Sequence, residues 1–324
     1  MSQPSPKPQI SIIIPLRNEE RSIGPLVAET QEALARVPQP YEIVLVDDGS
    51  DDGTWEAVRA LAARDRRIVA MRFGKNLGQT AALSAGFDYS HGEVIIPMDG
   101  DLQNDPADIP RLLDKLAEGY DVVSGWRRER RDSKLTRVWP SLLANRLISL
   151  VGGVRLHDYG CTLKAYRRDV VKDVRLYGEM HRFIPIYASW QGARTAELEV
   201  NHRPRAHGRS KYGLGRSFKV VLDLIVVKFL GKYLQKPIYV FGAVALVCLL
   251  GAFFAGLYAV WLKLARGTSF IQTPLPLLTV LLIVLAANAV LIGLLAEISV
   301  RTYFESQQKK TYCVRETLNV EGDE

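Results

Sequence analysis

A chain of 324 residues with 48% hydrophobic and 24% charged content has room for one sizeable α/β domain and a smaller appendage, and is too apolar to be a disordered tail. Its formal net charge of +7 gathers near Arg127–Arg146 and ahead of an uncharged C-terminal stretch; this placement suits lipid head groups or phosphate and argues against a nucleic-acid partner. Cys161, Cys248 and Cys313 lie too far apart for a disulfide framework or paired zinc spacing, as expected in a reducing compartment.

Met1–Gln9 is polar and Pro-rich, reads as a disordered tail over 1–9, and does not resemble a signal peptide. Short β-rich runs then alternate with helical patterns. Strands are predicted at Ile10–Leu16, Glu42–Asp47, Ile68–Phe73, Glu93–Met98 and Asp121–Ser124, several of them continuous apolar runs buried on both faces. Helices are predicted at Ser22–Arg36, Thr54–Arg64, Gln79–Ser90 and Pro106–Glu118, the last with Asp105 as N-cap and Pro in its first turn. This alternation implies βαβ units and a mostly parallel, Rossmann-like sheet, whose ligands bind beyond the C-terminal strand ends. Asp47, Asp48 and Asp99 fall at those ends.

From about Trp126 the pattern turns basic and less regular. Pro140–Val151 and Ser217–Gln235 read as amphipathic helices; in the second, Lys228, Lys232 and Lys236 recur on one face beside a wide apolar one, which suits a helix lying in a membrane interface. Core packing is the competing reading for both. Such helices, if exposed, could serve subunit contacts in a homo-oligomer.

Ile238–Leu262 and Gly267–Ala296 contain no Asp, Glu, Lys or Arg, and each exceeds the roughly 20 residues a helix needs to cross a bilayer. A soluble core helix is the alternative for one such run; two in succession favour a hairpin in the membrane. The domains are therefore expected at 10–212 (catalytic), 213–236 (interfacial helix), 237–300 (transmembrane hairpin, about 238–262 and 275–297) and 301–324 (a C-terminal tail). The large domain and both termini are expected in the cytoplasm, at the cell's inner membrane. Lys263 and Arg266 in the connecting loop leave the positive-inside bias only partial.

Asp99-Gly100-Asp101 follows an apolar strand. Two carboxylates one residue apart there can face one cleft, and Gln103 adds an amide oxygen, a set of hard donors suited to Mg²⁺ or Mn²⁺ shared with substrate phosphates. A solvated turn with capping aspartates is the alternative. The second acidic turn, Asp47–Thr54, fails as a calcium loop because neither candidate twelfth position (Val58, Ala62) is Glu. Its strand-end carboxylates could accept hydrogen bonds from a uracil ring or ribose. No Walker A or Gly-x-Gly-x-x-Gly loop follows any strand, which argues against ATPase and dinucleotide readings.

Four segments, Ile12–Glu19, Val46–Ser50, Asn76–Gln79 and Asp99–Gln103, resemble the family 2 glycosyltransferases of GT-A fold. With Arg127–Ser133, Asp158–Cys161 and Arg205–Tyr212, the chain is similar more narrowly to the polyprenyl-phosphate glycosyltransferases, the group that includes dolichyl-phosphate mannose synthase, GtrB-type glucosyltransferases and ArnC. The resemblance implies inverting, metal-dependent transfer from a UDP- or GDP-sugar to undecaprenyl or dolichyl phosphate. It assigns Pro15, Glu19 and Asp48 to the nucleotide, Asp99 to the nucleotide or sugar, and Asp101 and Gln103 to the metal. Arg17 stands where many relatives carry an aromatic residue; it joins Asp47 and Asn76 among the expected donor contacts.

Arg127, Arg131 and Ser133 are expected at the lipid phosphate. Arg205, Ser210 and Lys211 are expected in a loop over the phosphates, with Arg205 and Lys211 on the donor and Ser210 on the lipid phosphate. Asp158 is expected either as a base or as the residue that orients the acceptor. A processive polysaccharide synthase would carry a Gln-x-x-Arg-Trp segment, and neither Trp126 nor Trp190 stands in one. A catalytically silent protein that binds nucleotide sugar or lipid is the remaining alternative, against which the intact acidic motifs argue.

Overall fold

The computed structural model describes residues 7–128, 148–149, 153–172, 180–204, 238–306 and 312–320. The chain divides into two compact units, one built on a sheet and one on a pair of long helices.

The first unit opens with β1 (Ile10–Leu16), α1 (Ile23–Leu34), β2 (Tyr41–Asp47), α2 (Thr54–Arg64), β3 (Ile68–Phe73), α3 (Gln79–Tyr89) and β4 (Val94–Pro97), matching the predicted alternation within a few residues. A 3-10 turn, Pro106–Asp108, precedes α4 (Ile109–Ala117), and Asp105 caps it by accepting from the Ala107 amide at 3.1 Å. Then follow β5 (Val122–Trp126), β6 (Lys164–Arg167), α5 (Arg168–Lys172), a 3-10 turn (Met180–Phe183), α6 (Ile184–Trp190) and β7 (Thr195–Glu199). The strands assemble, with β8 (Val314–Leu318), in the order β7-β5-β6-β4-β1-β2-β3-β8. β4, β1, β2 and β3 are parallel neighbours, as are β5 and β7, while β6 and β8 run antiparallel to theirs.

Why β1 sits at the centre follows from its residues. All seven are buried, and alternate side chains serve opposite faces. Ile10, Ile12, Ile14 and Leu16 join Leu26 of α1, Trp55 and Val58 of α2 and Leu112 of α4 in one core. Each such side chain contributes roughly 1.5–3 kcal/mol by leaving water. Ile13 faces the other way and meets α3 so closely that a β-carbon at Gly86 would collide with its Cγ2. That contact seats α3 directly on the strand and fixes where its first residue, Gln79, arrives.

The expected tail over 301–324 contains a strand. Val314–Leu318 pairs antiparallel with β3, placing Glu316 opposite Arg72. Glu316 accepts from Trp55 Nε1 at 3.1 Å and from Arg59 at 2.6 Å, Tyr312 donates to Asp88 at 2.6 Å, and Asn319 donates to the carbonyls of Ala62 and Ile68. Five residues with two adjacent charges, Arg315 and Glu316, give a weak strand signal, whereas an open edge at β3 supplies the missing hydrogen bonds.

The second unit comprises α7 (Ile238–Arg266) and α8 (Leu275–Ser306), longer than the predicted 238–262 and 275–297. Within them, Phe241–Arg266 and Leu275–Ala296 are long and apolar enough to cross a membrane. Where these two helices meet, the residues are small: Ala245, Ala286 and Ala289 form a cluster with Cys248, and Gly251 faces Leu282. Their large side chains point outward instead, Leu246 being 58% and Leu291 58% exposed. Small residues inside and large apolar ones outside is the pattern of helices that pack within lipid. The two amphipathic segments, Pro140–Val151 (save its residues 148–149) and Ser217–Gln235, lie outside the described residues.

Candidate functional site

The site forms where β1, β2 and β4 end. Leu16 lies opposite Asp47 in the parallel register, and Ile13 lies opposite Pro97, so the chain after β4 emerges beside Pro15. Gly100 is needed there: a β-carbon would lie 2.7 Å from Leu16 Cδ2 and 3.2 Å from the Pro15 carbonyl oxygen. The next residue but one, Leu102, adopts φ +62°, a left-handed conformation that a branched side chain rarely holds without a local reason. Here the reason is the turn itself, in which Asp101 accepts the Gln103 amide at 3.2 Å.

Asp99 is held by two donors. Gln79 Nε2, at the start of α3, lies 2.8 Å from one carboxylate oxygen, and Thr162 Oγ1 lies 2.7 Å from the other; its amide donates to Asn104 at 3.1 Å. Burial pushes the Asp99 carboxyl up, the Asp101 charge adds to the push, and Thr162, Arg127 and Arg182 oppose it. Asp99 is therefore tied into the protein by its side chain, and Asp101 and Gln103 follow it in the same turn. Among the described residues no group of three or more His, Cys, Asp or Glu is arranged to hold a metal ion. Two hard protein ligands fit a cation that takes the rest of its shell from phosphates and water, as Mg²⁺ and Mn²⁺ do.

The second acidic turn divides its work. Asp47 is fully buried, accepts from the Ser50 amide at 3.0 Å and its hydroxyl, and pairs with Arg72 at 3.3 Å. Its carboxylate closes its own turn. Asp48 reaches across to accept the amides of Leu77 at 2.6 Å and Gly78 at 2.9 Å, so it pins the Asn76–Gly78 loop against β2. Burial raises its pKa against the pull of those two amides. Arg17 spends its guanidinium on the same turn, donating to the carbonyls of Asp48 (2.9 Å) and Gly49 and to Asp51 (2.8 Å). Glu19 is half-buried, with its amide donating to Thr54 at 2.8 Å, and Asn76 is exposed.

Arg127, just past β5, meets Asp158 in a fork: Nε donates to Oδ2 at 2.7 Å and Nη2 to Oδ1 at 3.1 Å. Asp158 is 2% exposed and also accepts from the Gly160 amide at 3.0 Å. Burial opposes the Arg127 charge, yet Asp158, with Cys161 and Asp99, more than offsets it and leaves the guanidinium pKa raised. The carboxylate is thus committed to an arginine, which holds the guanidinium in a fixed orientation. Its loop is secured from two sides. Glu197 accepts the amides of His157 (2.7 Å) and Asp158 (3.4 Å), and buried Lys164 donates to the carbonyls of Tyr159 (3.3 Å) and Cys161. Burial lowers the Lys164 pKa.

Arg131, Ser133, Arg205, Ser210 and Lys211 lie outside the described residues. The approach to the last three is visible. The Arg203 amide donates to the Gln103 carbonyl at 2.9 Å, its guanidinium bridges Glu29 and Asp105, and Asn201 donates to Asp105 and Asp108. The chain entering 205–211 is thus fastened to the loop that carries Asp101 and Gln103. Gln79, Asn104, Thr162, Lys164 and Arg203 were missed by sequence reasoning. Only Gln79 carried a signal, as the last residue of the Asn76–Gln79 motif.

Comparison with known proteins agrees with this geometry. The model of "Glycosyl transferase family 2" matches residues 11–175. The chain is 40% identical to the dodecaprenyl-phosphate galacturonate synthase of Rhizobium johnstonii, over 96% of this chain and 93% of that one. It is 37% identical to the undecaprenyl-phosphate 4-deoxy-4-formamido-L-arabinose transferase of Pseudomonas aeruginosa, over 98% of this chain and 92% of that one. Among solved structures, glucosyl-3-phosphoglycerate synthase from Mycobacterium tuberculosis with Mn²⁺ and UDP-glucose superposes with a TM-score of 0.54 at 20% identity, covering 68% of this chain and 79% of that one. That likeness establishes the GT-A fold.

Proposed function

Since the chain belongs to glycosyl transferase family 2, we propose that it transfers one sugar, with inversion, from a UDP- or GDP-sugar to a polyprenyl phosphate such as undecaprenyl or dolichyl phosphate. The observation that carries this reading is the likeness, over nearly the whole chain and with the apolar hairpin included, to enzymes named as polyprenyl-phosphate sugar transferases. In it the hairpin anchors the chain in the cell's inner membrane, and the sheet unit and both termini lie in the cytoplasm, where nucleotide sugars are made.

The roles follow from what each side chain touches. Asp48 sets the Asn76–Gly78 loop, and with Pro15, Glu19 and Asn76 forms the cradle for the nucleotide; Arg17 stiffens the cradle through the Asp48–Asp51 turn. Asp99, oriented by Gln79 and Thr162, faces the sugar end of the donor. Asp101 and Gln103 hold a divalent cation, which supplies charge neutralisation for the departing diphosphate. Arg205 and Lys211 complete the donor site. Arg127, kept in orientation by Asp158, receives the acceptor phosphate with Arg131, Ser133 and Ser210. A phosphate oxygen is already anionic at neutral pH, so orientation serves it better than a general base.

The purified full-length chain, given radiolabelled UDP-sugars, MnCl₂ and undecaprenyl phosphate in detergent, should move label into the organic phase and stop when EDTA is added. Nucleotide-sugar binding with no label on lipid from any UDP- or GDP-donor would favour a silent binding protein instead.

A further inference from the structure

A row of charges runs from the sheet's outermost strand, β8, toward the donor end of the site. Asp47 of β2, Arg72 of β3 and Glu316 of β8 are register partners on three adjacent strands, and such partners share one face of the sheet. Trp55 of α2 packs on that face. Its Nε1 donates to Glu316 at 3.1 Å, and the Arg72 guanidinium lies 5.9 Å from its ring centroid. The hydrogen bond from Arg59 lowers the Glu316 pKa most, and the charge of Arg72 lowers it further.

Arg72 in turn completes Asp47. One oxygen of that carboxylate accepts from Ser50. The other, Oδ2, is buried, accepts no hydrogen bond among the described residues, and is met by Arg72 Nε at 3.3 Å. Arg72 Nη2 also donates to the Ser50 carbonyl at 3.3 Å, so one guanidinium grips both ends of the Asp47–Ser50 turn. The turn then holds the loop after β1: Ser50 Oγ accepts the Asn18 amide and Asn18 Oδ1 accepts the Asp51 amide, both at 3.0 Å. Asn18 sits there at φ +56°, and Gly49 packs so tightly that a β-carbon would lie 2.6 Å from the Lys75 backbone. Glu19, Asp48 and Asn76, three of the residues given above to the nucleotide, adjoin these positions in the chain. A buried carboxylate that loses its counter-charge is costly, so the turn relaxes when Arg72 is removed or drawn away.

We propose that β8 is a working part of the donor site: Glu316 sets Arg72, Arg72 sets the Asp47–Ser50 turn, and the turn sets the affinity for the nucleotide. Arg72 and Glu316 are positioning residues, acting through the turn. The inference rests on the donor reading above and adds to that site an element that follows both apolar helices in the chain.

The test is calorimetric titration of the full-length chain in detergent with UDP and with GDP, each with MnCl₂. For the nucleotide that the unmodified chain binds, Arg72→Met should raise Kd by about tenfold, and Arg72→Lys should recover part of the loss. Glu316→Gln keeps an oxygen for Trp55 and removes only the charge. It should raise Kd by about threefold in the unmodified chain and add nothing in Arg72→Met. In turnover the same variants should raise the donor KM and leave the KM for undecaprenyl phosphate unchanged. Lowered unfolding temperatures with an unchanged Kd would reduce β8 to a cover for the edge of β3 and overturn the proposal. So would a Kd that Glu316→Gln leaves unchanged, and this milder variant decides alone should Arg72→Met not fold. A Glu316→Gln loss that persists in full in Arg72→Met would route the effect around Arg72 and likewise contradict it. If neither nucleotide binds the unmodified chain, the donor reading itself falls and takes this proposal with it.

Discussion

Asp101→Ala is expected to lower turnover by about 1000-fold or more. The Asp101 carboxylate accepts the Gln103 amide at 3.2 Å within the turn, and it belongs to no apolar cluster. Removing it costs the candidate metal site one of its two proposed protein ligands. Mn²⁺ binding followed by electron paramagnetic resonance should weaken in parallel with the rate. Turnover that persists in Asp101→Ala, with metal still required, would place the cation elsewhere. Asp99→Ala should reduce stability as well as rate, because Asp99 links Gln79 of α3 to Thr162 ahead of β6.

Asp158→Ala has the largest expected effect on stability. It strips a buried guanidinium of both its fork partners and leaves the Gly160 amide without its acceptor, a change that costs about 3–5 kcal/mol when a buried pair is broken from one side. A thermal shift of the detergent-solubilised protein should show it plainly. Asp158→Asn should be milder in stability and should lower the rate without changing the shape of the pH–rate profile, since the residue positions Arg127 and carries no proton in the reaction. Loss of one limb of that profile in Asp158→Asn would restore it as a base. Combining Asp158→Leu with Arg127→Met should cost less stability than the sum of the two single changes, because neither charge is then left alone.

How much of this was legible beforehand differs by element. β1 to β3 and α2 and α3 could be read almost to the residue, because continuous apolar strands between amphipathic helices admit one βαβ arrangement. The place of the Asp99–Gln103 turn was legible for the same reason: it follows from the strand before it. β6, β7 and β8 were not read. Each has only four or five residues, mixes charge with apolar side chains, and exists because a neighbouring strand offers hydrogen bonds. Lys164 shows the limit well. In sequence it is one more basic residue, whereas in the fold it is 2% exposed and holds the loop that bears Asp158. Asp47 and Asp48 are adjacent and chemically identical in sequence. Only the strand's alternation separates them, sending one inward to Ser50 and Arg72 and the other across to Leu77 and Gly78.

The most direct measurement is the mass of the lipid product. With nucleotide sugar, divalent metal and undecaprenyl phosphate, mass spectrometry should find the lipid carrying one sugar through a single phosphate, and none of it after Asp101→Ala. A lipid bearing a growing sugar chain, or one unmodified under every donor tried, would contradict the account.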